Sequence, residues 1–251
     1  MTTAVQAASH TARVPGRLVL WMGVALAWLA IVVADATGLA GALHHHSLLE
    51  NGPPLPIAVG LFLVGWQVMI AAMMLPASSV AITGHATAVA ARGSIRFVLA
   101  YLAAWSVFGL VCFAGDGVIH RLVNTTPWLA ANAWIIPAVS LAGAGVYQLL
   151  PVKRRFIAAC RVTGAEHHRS SAVGASAAHG LDCIGASGPL MLLMFAAGFA
   201  SLAWMVALAA LMFYEVRGAH STTVIHATGV LLIWLSLMTS ISGAVPGWAG
   251  T

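Results

Sequence analysis

Three methionines within one apolar stretch form the sharpest chemical pattern in the sequence. Met69 and Met73 are four residues apart, and Met74 follows directly. In a helix this spacing places Met69 and Met73 on one face, with Met74 beside them. A thioether is a soft ligand that selects Cu(I) over harder ions, so the three sulfurs could hold such an ion without burying a charged group. The competing interpretation is that these methionines are adaptable packing in an apolar interior.

His179 and Cys183 form a second group of potential ligands. They are also four residues apart, so an imidazole and a thiol project from one helix face. Asp182 is adjacent in sequence but points about 100° away around the helix, so it is not an obvious hydrogen-bond partner for both ligands. Two ligands make half of a metal site, and the other half must come from another helix.

Sequence patterns of the common enzyme classes are absent. No carboxylate pair, Gly-rich phosphate loop or Ser/His/Asp arrangement is visible, so we predict neither catalytic nor cofactor-binding residues and expect no enzyme activity. The run His44–His46 could capture a metal ion, but consecutive side chains diverge, and a solvated loop is an equally good interpretation.

The composition places these residues in a membrane protein. Hydrophobic residues make up 61% of the 251 residues, and charged residues only 7%. A soluble domain carries roughly 25% charged residues, so a water-soluble globule is excluded. Three cysteines cannot form a disulfide framework. The net charge of +5 does not indicate nucleic acid, because the positions of basic residues in a membrane protein follow its topology.

Apolar runs of about 20 residues predict an all-α, polytopic bundle of transmembrane helices. We expect seven spans, with a disordered tail at residues 1–16, the bundle at 17–243 and a short C-terminal tail at 244–251. The alternative is six spans, with residues 173–186 as an interfacial or re-entrant piece. The seven predicted spans are approximately 18–39, 57–82, 97–119, 129–150, 176–199, 201–217 and 219–242.

The positions of the basic residues predict the orientation of the chain. With a cytoplasmic N-terminus, ten of the eleven basic residues lie on the inner side, and Arg121 alone lies outside. Lys and Arg are retained on the cytoplasmic side, so we expect this orientation in a multi-pass protein of a bacterial inner (plasma) membrane. The His44–His46 loop then lies on the outer side.

Three blocks of the sequence resemble a bacterial family of predicted metal-binding integral membrane proteins. One member of that family is the copper chaperone of a membrane-associated tyrosinase. The resemblance covers about residues 60–217, and its last block ends at Glu215. Its blocks are Trp66-x-x-Met69-x-x-Ala72-Met73-Met74-Leu75-Pro76, Tyr147-Gln148-Leu149-Leu150-Pro151-Val152-Lys153, and His179-Gly180 through Cys183-Ile184-Gly185 followed by Met191 and Trp204-Met205.

The sequence departs from the family pattern where thiols are expected. The family's lysine is followed by Cys-x-x-x-Cys, whereas here those places hold Phe156 and Cys160. Where the family has Cys-Cys-Trp, this chain has Ala186-Ser187-Gly188. The residues that carry over are Met69, Met73, Met74, His179 and Cys183. The resemblance therefore implies either copper held mainly by thioether and imidazole or a loss of tight binding.

Our leading hypothesis from the sequence is a membrane chaperone that binds Cu(I) and delivers it to an oxidase or another cuproenzyme. Its expected partners are the lipid bilayer and that recipient, with no nucleic acid. The alternatives are a transporter for a metal ion or small solute, which needs polar groups spread through the membrane depth, and a non-catalytic accessory subunit of a membrane oxidase.

Overall fold

The structure is a computed structural model that describes the backbone of residues 2–39, 48, 52–79, 82, 91–161, 172–196 and 202–243. These residues form helices and no β-strand, which confirms the all-α prediction. The helices are α1 (Thr2–Ala36), α2 (Leu55–Met73), α3 (Ala91–Thr125), α4 (Pro127–Ala131), α5 (Ile135–Leu149), α6 (Pro151–Arg161), α7 (Ala172–Ala196), α8 (Leu202–Arg217) and α9 (Ser221–Ser242).

Every predicted apolar run coincides with a helix or with a pair of neighbouring helices. Within the described ranges, α1, α2, α3 and α9 are long and apolar enough to cross a membrane, and α5 with α6 adds a fifth crossing if that bent pair is one span. α8 has 16 residues and is about 24 Å long, shorter than a hydrocarbon core of about 30 Å. The counts of seven or six spans and the cytoplasmic N-terminus stay predictions.

The predicted domain division places a tail at each end of the chain. α1 extends the helix back through residues 2–16, where several alanines favour helix. The division into two tails and a bundle stays a prediction. The predicted C-terminal tail at 244–251 and the His44–His46 loop lie outside the described residues.

Two prolines decide where helices break. α2 ends at Met73, and the chain is helical again over residues 75–79. Pro76 has no N–H to continue the helix ladder, which accounts for the interruption at Met74. Leu150 is extended, with ψ 142°, as expected of a residue that precedes a proline, and Pro151 then begins α6 after a bend of 68°. The sequence predicts only a basic segment here, so α6 is an addition from the structure.

The first of two compact units comprises Met1–Phe108 and Ala158–Cys183. In it α1 packs along α2, and aromatic side chains join α2 to α3. The indole N–H of Trp66 donates to the carbonyl oxygen of Trp105 at 2.8 Å, and Phe62 stacks on Trp66 with ring centroids 5.7 Å apart. Gln67 adds hydrogen bonds to the Leu102 carbonyl and the Ser106 hydroxyl. These contacts fix the register of α2 against α3.

The second unit comprises Gly109–Ile157 and Ile184–Thr251. Its main packing is α5 against α9, where two glycines meet. A Cβ on Gly145 would lie 2.9 Å from the carbonyl oxygen of Gly229, so only small residues allow this approach. Ser236 on α9 donates to the carbonyl of Ala138 on α5 at 2.7 Å, which ties the two helices together at another level.

Candidate metal centre

The methionines at the end of α2 lie inside the first unit. Met73 and Met74 are 1% and 0% exposed, and Met69 is half-buried one turn earlier. The helical turn continues past the proline, because the N–H of Ser78 donates to the carbonyl of Met74 at 3.1 Å. Met74 and Ser78 therefore lie on the same side of this segment, four residues apart.

The Ser78 hydroxyl meets both ligands predicted on α7. His179 Nε2 lies 3.3 Å from Ser78 Oγ, and Cys183 Sγ lies 3.9 Å from the same oxygen. Tyr101 on α3 completes the group, since its hydroxyl is 3.1 Å from Ser78 Oγ and 3.1 Å from Cys183 Sγ. We name these four residues, Ser78, Tyr101, His179 and Cys183, the Ser78 cluster. All four are buried.

Close packing of α7 on α3 sets the position of the two α7 ligands. A Cβ on Gly180 would lie 2.9 Å from Cβ of Ala104, so glycine is needed at this approach. One turn before His179, the Ser176 hydroxyl donates to the carbonyl of Phe97. The imidazole of His179 lies between aromatic rings of α3, with centroids 6.0 Å from Phe97 and 5.9 Å from Tyr101. The imidazole is thus held from several sides.

Two further groups border the cluster. The thiol of Cys160, at the end of α6, lies beside the Cys183 thiol, and both cysteines are free and buried. The indole N–H of Trp105 also lies beside Cys183, and it is buried without an acceptor in good hydrogen-bonding geometry. A buried donor next to a sulfur suits a site in which that sulfur carries negative charge.

The chemistry of the Ser78 cluster depends on which ligand types can join it. Within the described ranges, no three His, Cys, Asp or Glu side chains converge in a way that could hold a metal ion. His179 and Cys183 supply two ligand types that copper takes, and the thioethers of Met73 and Met74 are buried in the same unit.

The structure adds two residues that the sequence did not predict in the site. Ser78 and Tyr101 connect the segment after the methionines with α3 and α7. A signal for Ser78 exists in the sequence, since it follows Met74 by four residues on an apolar helix. Tyr101 is an isolated polar group in an apolar run, and its spacing does not relate it to either predicted pair.

A second buried polar cluster lies in the second unit. Lys153 Nζ donates to Glu215 Oε2 at 2.7 Å, and Gln148 Nε2 donates to Glu215 Oε1 at 3.0 Å. The Lys153 and Glu215 side chains are each 1% exposed. This ion pair joins the start of α6 to the end of α8.

Comparison with known protein families shows a match that covers most of the chain. The model of a family described as PpoB2, copper chaperone, matches residues 63–239. This range contains all the described residues of the Ser78 cluster and the three methionines. The match confirms the resemblance stated from the sequence. No curated protein and no solved structure is detectably similar to the chain.

Proposed function

The chain belongs to the copper chaperone family PpoB2, and we propose that it is a membrane protein that holds Cu(I) and passes it to a cuproenzyme. The ion is bound as cargo in the first unit and is released to a recipient, with no chemical conversion by the chain itself. The proposed ligands are Met69, Met73, Met74, His179 and Cys183.

The observation that supports this proposal is the hydrogen bonding of Ser78. Its hydroxyl lies within 3.3 Å of His179 Nε2, and its own backbone is bonded to that of Met74. The end of the methionine helix and the histidine–cysteine helix are therefore neighbours within one compact unit. In the proposed site, these two neighbouring segments supply the two half-sites, each of which would be too small alone.

The donor set suits a buried cuprous ion that must later leave. Thioethers are neutral, so Cu(I) with one thiolate has no net charge, which limits the cost of burial. The family's additional cysteines are replaced here, for example by Phe156, so fewer thiolates compete to retain the ion. A mixed set of thioether, imidazole and thiolate then gives an affinity that permits transfer.

The setting of the site also supports a membrane role. Four described helices are long and apolar enough to cross a bilayer. In the proposed topology the N-terminus is cytoplasmic, and delivery to an oxidase takes place at the outer face of a bacterial plasma membrane.

Copper content of the purified protein under reducing conditions tests the proposal. The wild type should retain about one Cu(I) per chain, and the combined variant Met69→Leu, Met73→Leu, Met74→Leu should lose most of it. Met-to-Leu changes nearly conserve volume, so the fold should survive. Met212→Leu is the matched control, because Met212 is also 0% exposed but lies in the second unit. Unchanged copper in the combined variant would overturn the proposal.

A second measurement separates a chaperone from a transporter. Protein reconstituted in sealed vesicles should bind added Cu(I) without accumulating it in the lumen. Protein-dependent uptake into the vesicles would favour a transporter and contradict the proposed role.

A further inference from the structure

We infer that α6 is an interfacial helix whose exposed side binds the phosphate groups of anionic phospholipids, with Arg154 and Arg155 as the residues that contact them. The inference rests on one part of the proposed function, the membrane setting with a cytoplasmic N-terminus, and it does not depend on copper. It assigns an interaction surface to two arginines that the proposed copper site does not use.

The internal contacts of α6 come from one side of the helix. Lys153, Ile157 and Cys160 are buried, and their spacing of four and three residues places them on the same side. From this side Lys153 donates to Glu215 at 2.7 Å. The packing of α6 therefore leaves the side that carries Arg154 and Arg155 uncovered.

The uncovered side carries cations without a countercharge. Arg154 and Arg155 are exposed, and neither forms an ion pair within the part of the chain that the structure describes. Helical rotations of about 100° and 200° from Lys153 place them away from the buried side. Glu215 is turned to the buried side, where it accepts from Lys153. The two guanidinium groups are therefore available to an external anion.

Exposed side chains change from apolar to basic where α5 ends. Val146, Leu149 and Leu150 are exposed apolar residues on the last turn of α5 and directly after it. Arg154 follows Leu150 by only four residues. A guanidinium is costly to place in hydrocarbon, so this change marks the boundary between the acyl chains and the headgroups.

The bend at Pro151 gives α6 a direction suited to the membrane surface. α6 turns away from α5 by 68°, so it runs closer to the membrane plane than to the membrane normal when α5 crosses the bilayer. Its half-buried flank is apolar and lies between the buried and the basic sides; it consists of Val152, Phe156 and Ala159. An apolar flank beside a basic one is typical of helices that lie at the headgroup level.

The same surroundings favour a lipid over an acidic protein as the partner. Arginine binds phosphate through two parallel hydrogen bonds. A phospholipid can place its phosphate at Arg154 and Arg155 while its acyl chains contact Leu149 and Leu150. In the proposed topology these arginines lie on the cytoplasmic side, where the surface charge of anionic lipids attracts each basic residue by about 5-fold in affinity.

Substitutions at these exposed positions should remove the charge and keep the fold. Arg154→Gln, Arg155→Gln and their combination remove the guanidinium groups. The combination of Arg154→Lys and Arg155→Lys keeps both charges and should restore most of the lipid affinity. Arg121→Gln is the matched control for each single change, because it removes one exposed cation from the C-terminal end of α3, on the predicted outer side. Helical circular dichroism checks that each variant is folded.

Native mass spectrometry of the full chain in detergent, titrated with phosphatidylglycerol or phosphatidylcholine, measures the binding of the first lipid. The wild type should bind phosphatidylglycerol about 25-fold more tightly, because phosphatidylcholine offsets its phosphate with its own cation. Each single α6 variant should raise the Kd for phosphatidylglycerol about 5-fold, and the double glutamine variant about 25-fold. The Kd for phosphatidylcholine should change little in every variant, and Arg121→Gln should match the wild type with both lipids.

The outcomes separate this inference from the copper proposal. Equal binding of the two lipids by the wild type, or unchanged phosphatidylglycerol affinity in the double glutamine variant, refutes the lipid surface while the copper role stands. An acidic protein that co-purifies with the wild type but not with that variant, at unchanged lipid affinity, assigns the surface to a protein and also refutes it. A chain that stays monodisperse without detergent overturns the membrane setting and this inference with it. Selective lipid binding by a wild type that binds no Cu(I) supports this inference and overturns only the copper role.

Discussion

Removal of one partner of the Lys153–Glu215 pair should destabilise the second unit strongly. The two side chains are each 1% exposed and are joined by a 2.7 Å hydrogen bond, so water does not screen the pair. Lys153→Met leaves a buried carboxylate without the charge of Lys153, although Gln148 still donates to it at 3.0 Å. Breaking a pair of this kind costs about 3–5 kcal/mol.

A double substitution tests whether the loss comes from the unbalanced charge. Lys153→Met combined with Glu215→Gln leaves two neutral side chains of similar size, and Gln148 can still donate to the new amide oxygen. Replacing both members of a buried ion pair with uncharged side chains often changes stability very little. We therefore expect the double variant to lie within about 2 kcal/mol of the wild type, well above either single variant.

Equilibrium unfolding of the detergent-solubilised protein, followed by helical circular dichroism, measures these free energies. Arg154→Met is the matched control, because it removes a cation from an exposed position on the same helix and should change stability by no more than about 0.5 kcal/mol. A Lys153→Met variant as stable as the wild type, or a double variant as unstable as the single ones, would refute the reasoning.

Three further predictions concern packing and topology. Gly145→Ala should lower the free energy of unfolding by about 1–3 kcal/mol, because the new Cβ would press on the α9 backbone. Gly143→Ala, which has open space around it, should not lower it, and titration with a denaturing detergent compares the two variants. Trp66→Phe should lower the free energy of unfolding by about 1–3 kcal/mol, because a buried hydrogen bond is lost. Trp128→Phe, at a 65% exposed position, should leave it nearly unchanged in the same titration. A reporter enzyme that is active only outside the cytoplasm should work when fused after His44–His46; an inactive fusion there, with activity at the later basic segment, would contradict the topology.

Much of the secondary structure follows from the sequence because an α-helix satisfies its own backbone hydrogen bonds within an apolar segment. The small number of charged residues and the long apolar runs predict apolar helices, and these runs coincide with the helices of the structure. The bend at Pro151 and the helix after it are exceptions. Residues 151–161 are amphipathic and basic, and only their packing shows that they continue α5 at an angle of 68°.

For the candidate site too, the sequence predicts the local arrangement of residues but not the contacts between distant segments. Helical periodicity by itself determines that Met69 and Met73 share one face and that His179 and Cys183 share another. It does not determine which faces meet, because residues far apart in sequence become neighbours only through the packing of whole helices. The contacts of Ser78 and Tyr101 with Cys183, and the burial of Lys153 against Glu215, were decided by the tertiary structure for this reason.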